Sequence, residues 1–133
     1  MSVEQPVRIL IVEDEVLTAH AITSDLKNLG YAVIGFVRSG EEAIKMASRT
    51  QPDVVLMDIK LKGLLDGVSA THRIQTGLDI PVIYLTASSD AETVKRAIHS
   101  SPYGYITKPF RKKDLRDAIR NALDQKKAKR DMG

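Results

Sequence analysis

The sequence predicts a doubly wound α/β fold, a five-stranded parallel sheet with five helices distributed over its two faces. Three observations predict it. Short β-branched runs alternate five times with segments of helical periodicity. The first, third and fourth runs are apolar almost throughout, as strands covered on both faces are. Strict βα alternation closes into a parallel sheet through right-handed crossovers. At 133 residues the chain has the size of one ordinary domain and can bury a core without covalent staples.

The elements follow in order. Arg8–Val12 reads as the first strand. Ala19, Ile22, Leu26 and Leu29 then recur at helical spacing, and Gly30 ends that helix. Ala32–Phe36 is the second strand, and Ser39-Gly-Glu-Glu42 matches a capping box that opens the second helix. Asp53–Met57 is the third strand, and Asp66-Gly67 precedes a weakly patterned third helix through Val68 and Ile74. Ile80–Leu85 is the fourth strand, with Pro81 at its start, where a missing N–H does little harm. A second capping box, Ser89-Asp-Ala-Glu92, opens a fourth helix through Val94, Ala97 and Ile98. Gly104–Thr107 is the short fifth strand, and Leu115, Ile119, Ala122 and Leu123 mark the fifth helix. The pattern fades into Lys126-Lys-Ala-Lys-Arg130, a basic tail expected to fray. The expected organisation is an extension over 1–6, one domain over 7–125 and the basic tail over 126–133.

Composition narrows the chemistry. The chain has no cysteine, which excludes a disulfide framework, a thiolate zinc site and a catalytic thiol. Its longest apolar strand-like run is far shorter than the ~20 residues a bilayer needs. No basic n-region precedes that run, so the expected location is the cytoplasm. The net charge of +3 hides an asymmetry: residues 108–130 hold ten Lys or Arg against three Asp, leaving an acidic body. His20, His72 and His99 fall on three different predicted helices without metal-ligand spacing.

In a doubly wound sheet the functional crevice lies beyond the C-terminal ends of the strands. Strand one ends in Glu13-Asp14-Glu15, strand three in Asp58, strand four in Thr86 and strand five in Lys108. Carboxylates brought that close repel one another unless a cation offsets them. Mg²⁺ prefers oxygen ligands and is held by one or two carboxylates. Lys108 and Thr86 add donors suited to phosphoryl oxygens, and a carboxylate is available as nucleophile. The set is that of a phosphoryl-transfer site.

Four motifs carry a resemblance: Ile-Val-Glu-Asp at 11–14, Asp-Val-Val-Leu-Met-Asp at 53–58, Tyr-Leu-Thr-Ala at 84–87 and Tyr-Ile-Thr-Lys-Pro-Phe at 105–110. In this order, each at a strand end, they resemble the receiver domains of two-component response regulators, single-domain chemotaxis regulators among them. The resemblance implies a flavodoxin-like sheet of order 2-1-3-4-5. It implies that Asp58 accepts a phosphoryl group from a phosphohistidine on a histidine kinase or phosphotransfer protein, with Lys108 and Thr86 as the other catalytic groups. It implies Mg²⁺ held by Asp14 and Asp58, by Glu13 through water, and by the backbone carbonyl of Lys60. Thr86 and Tyr105 are the switch pair, and Lys108-Pro109 is expected to be cis. Lys60 and Ser88 occupy positions that tune the lifetime of the acyl phosphate.

Output is expected as altered partner binding at the face of the fourth helix, fifth strand and fifth helix, which also serves homodimers in relatives. The domain is expected to be a signalling switch that catalyses its own phosphorylation and dephosphorylation rather than an enzyme with an outside substrate. A nucleic-acid partner is not expected without an output domain, and no membrane role is. One departure stands out. The loop Asp58-Ile-Lys-Leu-Lys-Gly-Leu-Leu-Asp66-Gly67 lacks the proline many relatives carry and is one residue longer. Leu64 and Leu65 in it are candidates for facing a partner.

Three other readings fit less well. A haloacid-dehalogenase-type hydrolase wants a second acid two residues after its nucleophile, where this chain has Lys60, and it wants a cap domain. A nucleotide-binding domain wants one of the glycine-rich phosphate loops, and neither form is present. A scaffold of the same fold without chemistry needs no full residue set.

Overall fold

A computed structural model of the chain describes residues 5–59, 66–87, 95, 96 and 99–132. Its five strands are β1 (Arg8–Val12), β2 (Ala32–Val37), β3 (Val54–Asp58), β4 (Val82–Thr86) and β5 (Gly104–Thr107). They form one parallel sheet in the order β2-β1-β3-β4-β5. Three helices, α1 (Val16–Asn28), α2 (Gly40–Thr50) and α3 (Gly67–Gly77), and a C-terminal helix, Lys112–Met132, cover it. Four helices are thus seen among the described residues. The expected fourth helix and its capping box at Ser89 lie largely outside them, although Lys95, Arg96 and His99 are helical. No helix among the described residues is long and apolar enough to cross a membrane.

The period of two along each strand sends alternate side chains to opposite faces. Ile9, Ile11, Val54, Leu56, Ile83 and Leu85 meet Ala19, Ile22 and Leu26 of α1 and Leu115, Ile119 and Ala122 of the C-terminal helix. Leu10, Val12, Val55, Met57, Val82 and Tyr84 meet Ala43 and Ala47 of α2 and Ala70 and Ile74 of α3. Both layers are buried, which is why three strands read as continuous apolar runs. The edge strand β2 carries a bulge against β1: Ile9 pairs with Val33, but Leu10 pairs with Gly35. Gly35 absorbs the extra residue at φ +147°, a conformation closed to residues with a Cβ.

Side-chain caps hold the starts of α2 and α3. The Ser39 hydroxyl accepts from the Glu42 amide at 3.2 Å, as the capping box predicts. The Asp66 carboxylate accepts from the Ser69 amide at 2.8 Å. The C-terminal helix departs from expectation by running through the basic segment to Met132. Its last turns are tied to the body. Lys126 pairs with the Asp79 carboxylate at 2.6 Å, Gln125 donates to the Tyr103 carbonyl at 3.0 Å, and the Lys129 ammonium lies 5.2 Å from the Tyr103 ring centroid.

Candidate metal and phosphoryl centre

Every predicted strand-end residue that is described lies at the same edge of the sheet. Sheet hydrogen bonding continues one residue past β1, where the Glu13 amide donates to the Val37 carbonyl at 3.0 Å. That fixes Glu13 and Asp14 at the tip of β1. Asp58 is the last residue of β3, paired with Leu85 of β4. Thr86 ends β4, and its carbonyl accepts from the Lys108 amide at 2.7 Å, which pins the residue following β5 beside it. The Lys108-Pro109 peptide is cis.

The side chains converge. One carboxylate oxygen each from Glu13, Asp14 and Asp58 lies within 4.8 Å of the others. The Lys108 ammonium sits 2.8 Å from Glu13 Oε1 and 3.5 Å from Asp58 Oδ2. Asp14, Glu15, Asp58, Thr86, Ala87 and Lys108 line a cleft of about 370 Å³. Glu13 is fully buried.

The electrostatics are uneven. Burial, then the neighbouring Asp58 carboxylate, push Glu13 up to about 8, and Lys108 only partly opposes them. Burial also works against the charge of Lys108, but Glu13 and Asp58 together outweigh it and hold the ammonium above its ordinary value. The pair is therefore asymmetric: the lysine faces two carboxylates, whereas the glutamate has given up water and faces another acid. Glu13 Oε2 is buried with no hydrogen-bond partner. An orphaned carboxylate oxygen beside two further carboxylates is the donor set a hard divalent cation takes. The residues fit such an ion.

Two supporting groups escaped sequence reading. Arg38, just past β2, donates from Nε to the Asp14 carbonyl at 3.2 Å. No spacing or motif signals that reach. Gly67 at the start of α3 packs against the end of β3, and a Cβ there would stand 2.3 Å from the Asp58 carbonyl oxygen and 2.9 Å from that of Ile59. The Asp66-Gly67 pair was legible as a helix start but not as a close approach to the site. Tyr105 stands apart from the acidic cleft. It is 43% exposed, its ring 5.9 Å from that of buried Tyr84, and it lines a different cleft with Thr107, Asp114 and Asp117. The Lys60 carbonyl, Ser88, Leu64 and Leu65 lie outside the described residues.

Comparison with known proteins shows the family. The family described as response regulator receiver domain matches residues 9–120. The transcriptional regulatory protein PdtaR of Mycobacterium tuberculosis is 36% identical over 120 residues, covering 90% of this chain and 58% of that protein. The chain therefore spans little more than half the length of that curated relative. Among solved structures, the signal receiver domain of a modulated diguanylate cyclase from Desulfovibrio desulfuricans superposes with a TM-score of 0.90 at 40% identity, covering 94% of this chain and 99% of that one. The receiver domain of a sensor histidine kinase from Pseudomonas aeruginosa, with a magnesium ion coordinated in its active-site cleft, gives a TM-score of 0.80 at 32% identity, covering 90% and 99%. The matched span begins in β1 and ends in the C-terminal helix, so it takes in the whole sheet and its cleft: this chain belongs to the response regulator receiver domain family of two-component signalling.

Proposed function

We propose that Asp58 is the phosphoacceptor of this receiver domain and that the chain is a phosphorylation-controlled binding switch. A carboxylate oxygen of Asp58 attacks the phosphorus of a phosphohistidine on a partner kinase or phosphotransfer protein. The O–P bond of an acyl phosphate forms as the P–N bond breaks, and the imidazole leaves with a proton. The observation that carries this is the convergence of three carboxylates with one ammonium in an open cleft.

Glu13, Asp14 and Asp58, with the Lys60 carbonyl, would hold Mg²⁺, which when bound offsets negative charge on the phosphoryl oxygens and carboxylates. Lys108 moves its ion pairing from Asp58 onto a phosphoryl oxygen, and Thr86 supplies a hydroxyl donor at the cleft wall. Arg38 keeps the Asp14 backbone in register. The added charge and acceptors on Asp58 draw Thr86 inward, and Tyr105 follows into the space vacated. The face of the fourth helix, β5 and the C-terminal helix then changes shape for a downstream partner or a second copy. Chemistry is confined to acquiring and losing the phosphoryl group, and the cytoplasm, where kinases use ATP, is the compartment that suits it.

The direct test is incubation with acetyl phosphate and Mg²⁺ followed by intact mass. Wild type should gain one phosphoryl group, Asp58→Asn should gain none, and chelator should suppress the gain. Equal labelling of the Asp58→Asn protein would overturn the assignment.

A further inference from the structure

We infer that a second cleft, between α3 and the segment containing Arg96 and His99, binds a small phosphorylated molecule. The cleft is about 530 Å³, within the ~300–1,000 Å³ range of small-molecule pockets. It shares no lining residue with the acidic cleft.

Its chemistry is one-sided. His72 and Arg73 come from α3, and Arg96 and His99 from the facing segment. Arg96 and His99 are three residues apart in helical geometry, the spacing that puts two side chains on one face. Among the described residues, no Asp or Glu lines the cleft. The side chains of Arg73, His72 and His99 have no hydrogen-bond or ion-pair partner among the described residues. Two guanidiniums in one concavity are the donors that recognise phosphoryl oxygens through paired N–H groups. Ser100 anchors the wall that carries Arg96 and His99. Its hydroxyl lies 2.7 Å from the Tyr84 hydroxyl, and Gln75 of α3 reaches its carbonyl at 3.4 Å and that of Ser101 at 3.2 Å.

Arg96 is shared between this cleft and the α3 cap. Its Nη1 lies 2.9 Å from Asp66 Oδ2. Burial opposes the charge on Asp66, but the Ser69 amide and Arg96 outweigh it and hold the carboxyl below its ordinary value. A carboxylate already seated on Arg96 shows that this guanidinium accepts an oxyanion from the rim of the cleft. A phosphoryl group inside it would take the remaining guanidinium donors together with those of Arg73. The sequence hides this site, because His72 and His99 lie on separate helices and form no motif.

The test is titration of the whole chain with inorganic pyrophosphate in magnesium-free buffer, followed by amide resonances and matched against sodium chloride at equal ionic strength. Saturable shifts are expected at Ser69, His72, Arg73, Arg96, His99 and Ser100. Arg73→Gln and Arg96→Gln, both at exposed positions, are each expected to weaken affinity by at least about fivefold, in line with loss of one charge-assisted contact. Arg73→Gln should still take one phosphoryl group from acetyl phosphate. Shifts that match the chloride control, shifts confined to Thr86 and Lys108, or affinity unchanged in both variants would overturn the site. Tighter binding of citrate than of pyrophosphate would overturn the phosphate assignment.

Discussion

Glu13 bears the main electrostatic cost of the acidic cleft, and that cost has a pH signature. Its carboxyl is raised from 4.5 to about 8 by burial and by Asp58. Between those values the folded chain keeps a proton that the unfolded chain has released. Folding is therefore favoured fully below the lower value, weakens as pH rises through the window, and loses the contribution above about 8. The slope is at most about 1.4 kcal/mol per pH unit. A divalent cation in the cleft would replace the proton, so Mg²⁺ should bind more tightly as pH rises toward 8 and should flatten the slope. Glu13→Gln should be flat with or without the ion. Urea midpoints across that window, in chelator and in Mg²⁺, measure both effects. This residue was legible in the sequence because Ile-Val-Glu-Asp ends a strand, and strand ends in such sheets share a crevice. Its burial was not legible. Nor was Arg38, whose long side chain crosses from the β2–α2 corner to the Asp14 carbonyl without leaving a pattern.

At the scale of elements, what periodicity shows is packing, and what it misses is contact between backbones and between charges. All five strands appear where β-branched runs stand, with ends shifted by a residue or two. The shift matters at β3, where Asp58 belongs to the strand itself and so inherits the strand's rigidity. Behind it, α3 starts so close that Gly67 has no room for a side chain. Gly67→Ala should force α3 or the β3 tip to move, at a cost of about 1–3 kcal/mol. Displacement of Asp58 should slow its labelling by acetyl phosphate as well. Urea denaturation and a labelling time course check the two consequences. The C-terminal helix shows the opposite failure. Its apolar stripe ends at Leu123, so its last turns look poorly held, yet Lys126 and Lys129 secure them to Asp79 and Tyr103. The double variant Lys126→Ala, Lys129→Ala should speed amide exchange over residues 124–131 while leaving exchange in β1 and β3 unchanged.

For the whole molecule, the parallel sheet places the acidic cleft at one edge and exposed Tyr105 on one flank. β1 and β3 sit centrally and carry the carboxylates. β4 and β5 carry Thr86 and Tyr105 outward toward the C-terminal helix. The order of strands came from the resemblance rather than from periodicity, since alternation alone fixes direction and handedness but not neighbours. In the proposed switch, communication between the edge and the flank would run through β4 and β5, whose pairing sets Tyr84 opposite Tyr105 and Thr86 opposite Thr107. Tyr105 is half-exposed in this conformation, with open space on the side of the C-terminal helix. If phosphorylation draws Thr86 toward Asp58, the ring at 105 should leave solvent for the space beside β4. The chain has no tryptophan, so Tyr105→Trp places a single indole at that position, which can be excited apart from the remaining tyrosines. Beryllofluoride with Mg²⁺ should shift its emission to the blue and protect it from iodide quenching. The same addition to a chain that also carries Asp58→Asn should do neither. An indole that stays equally quenchable while beryllofluoride occupies Asp58 would separate the phosphoryl site from Tyr105 and place the output path elsewhere on the sheet.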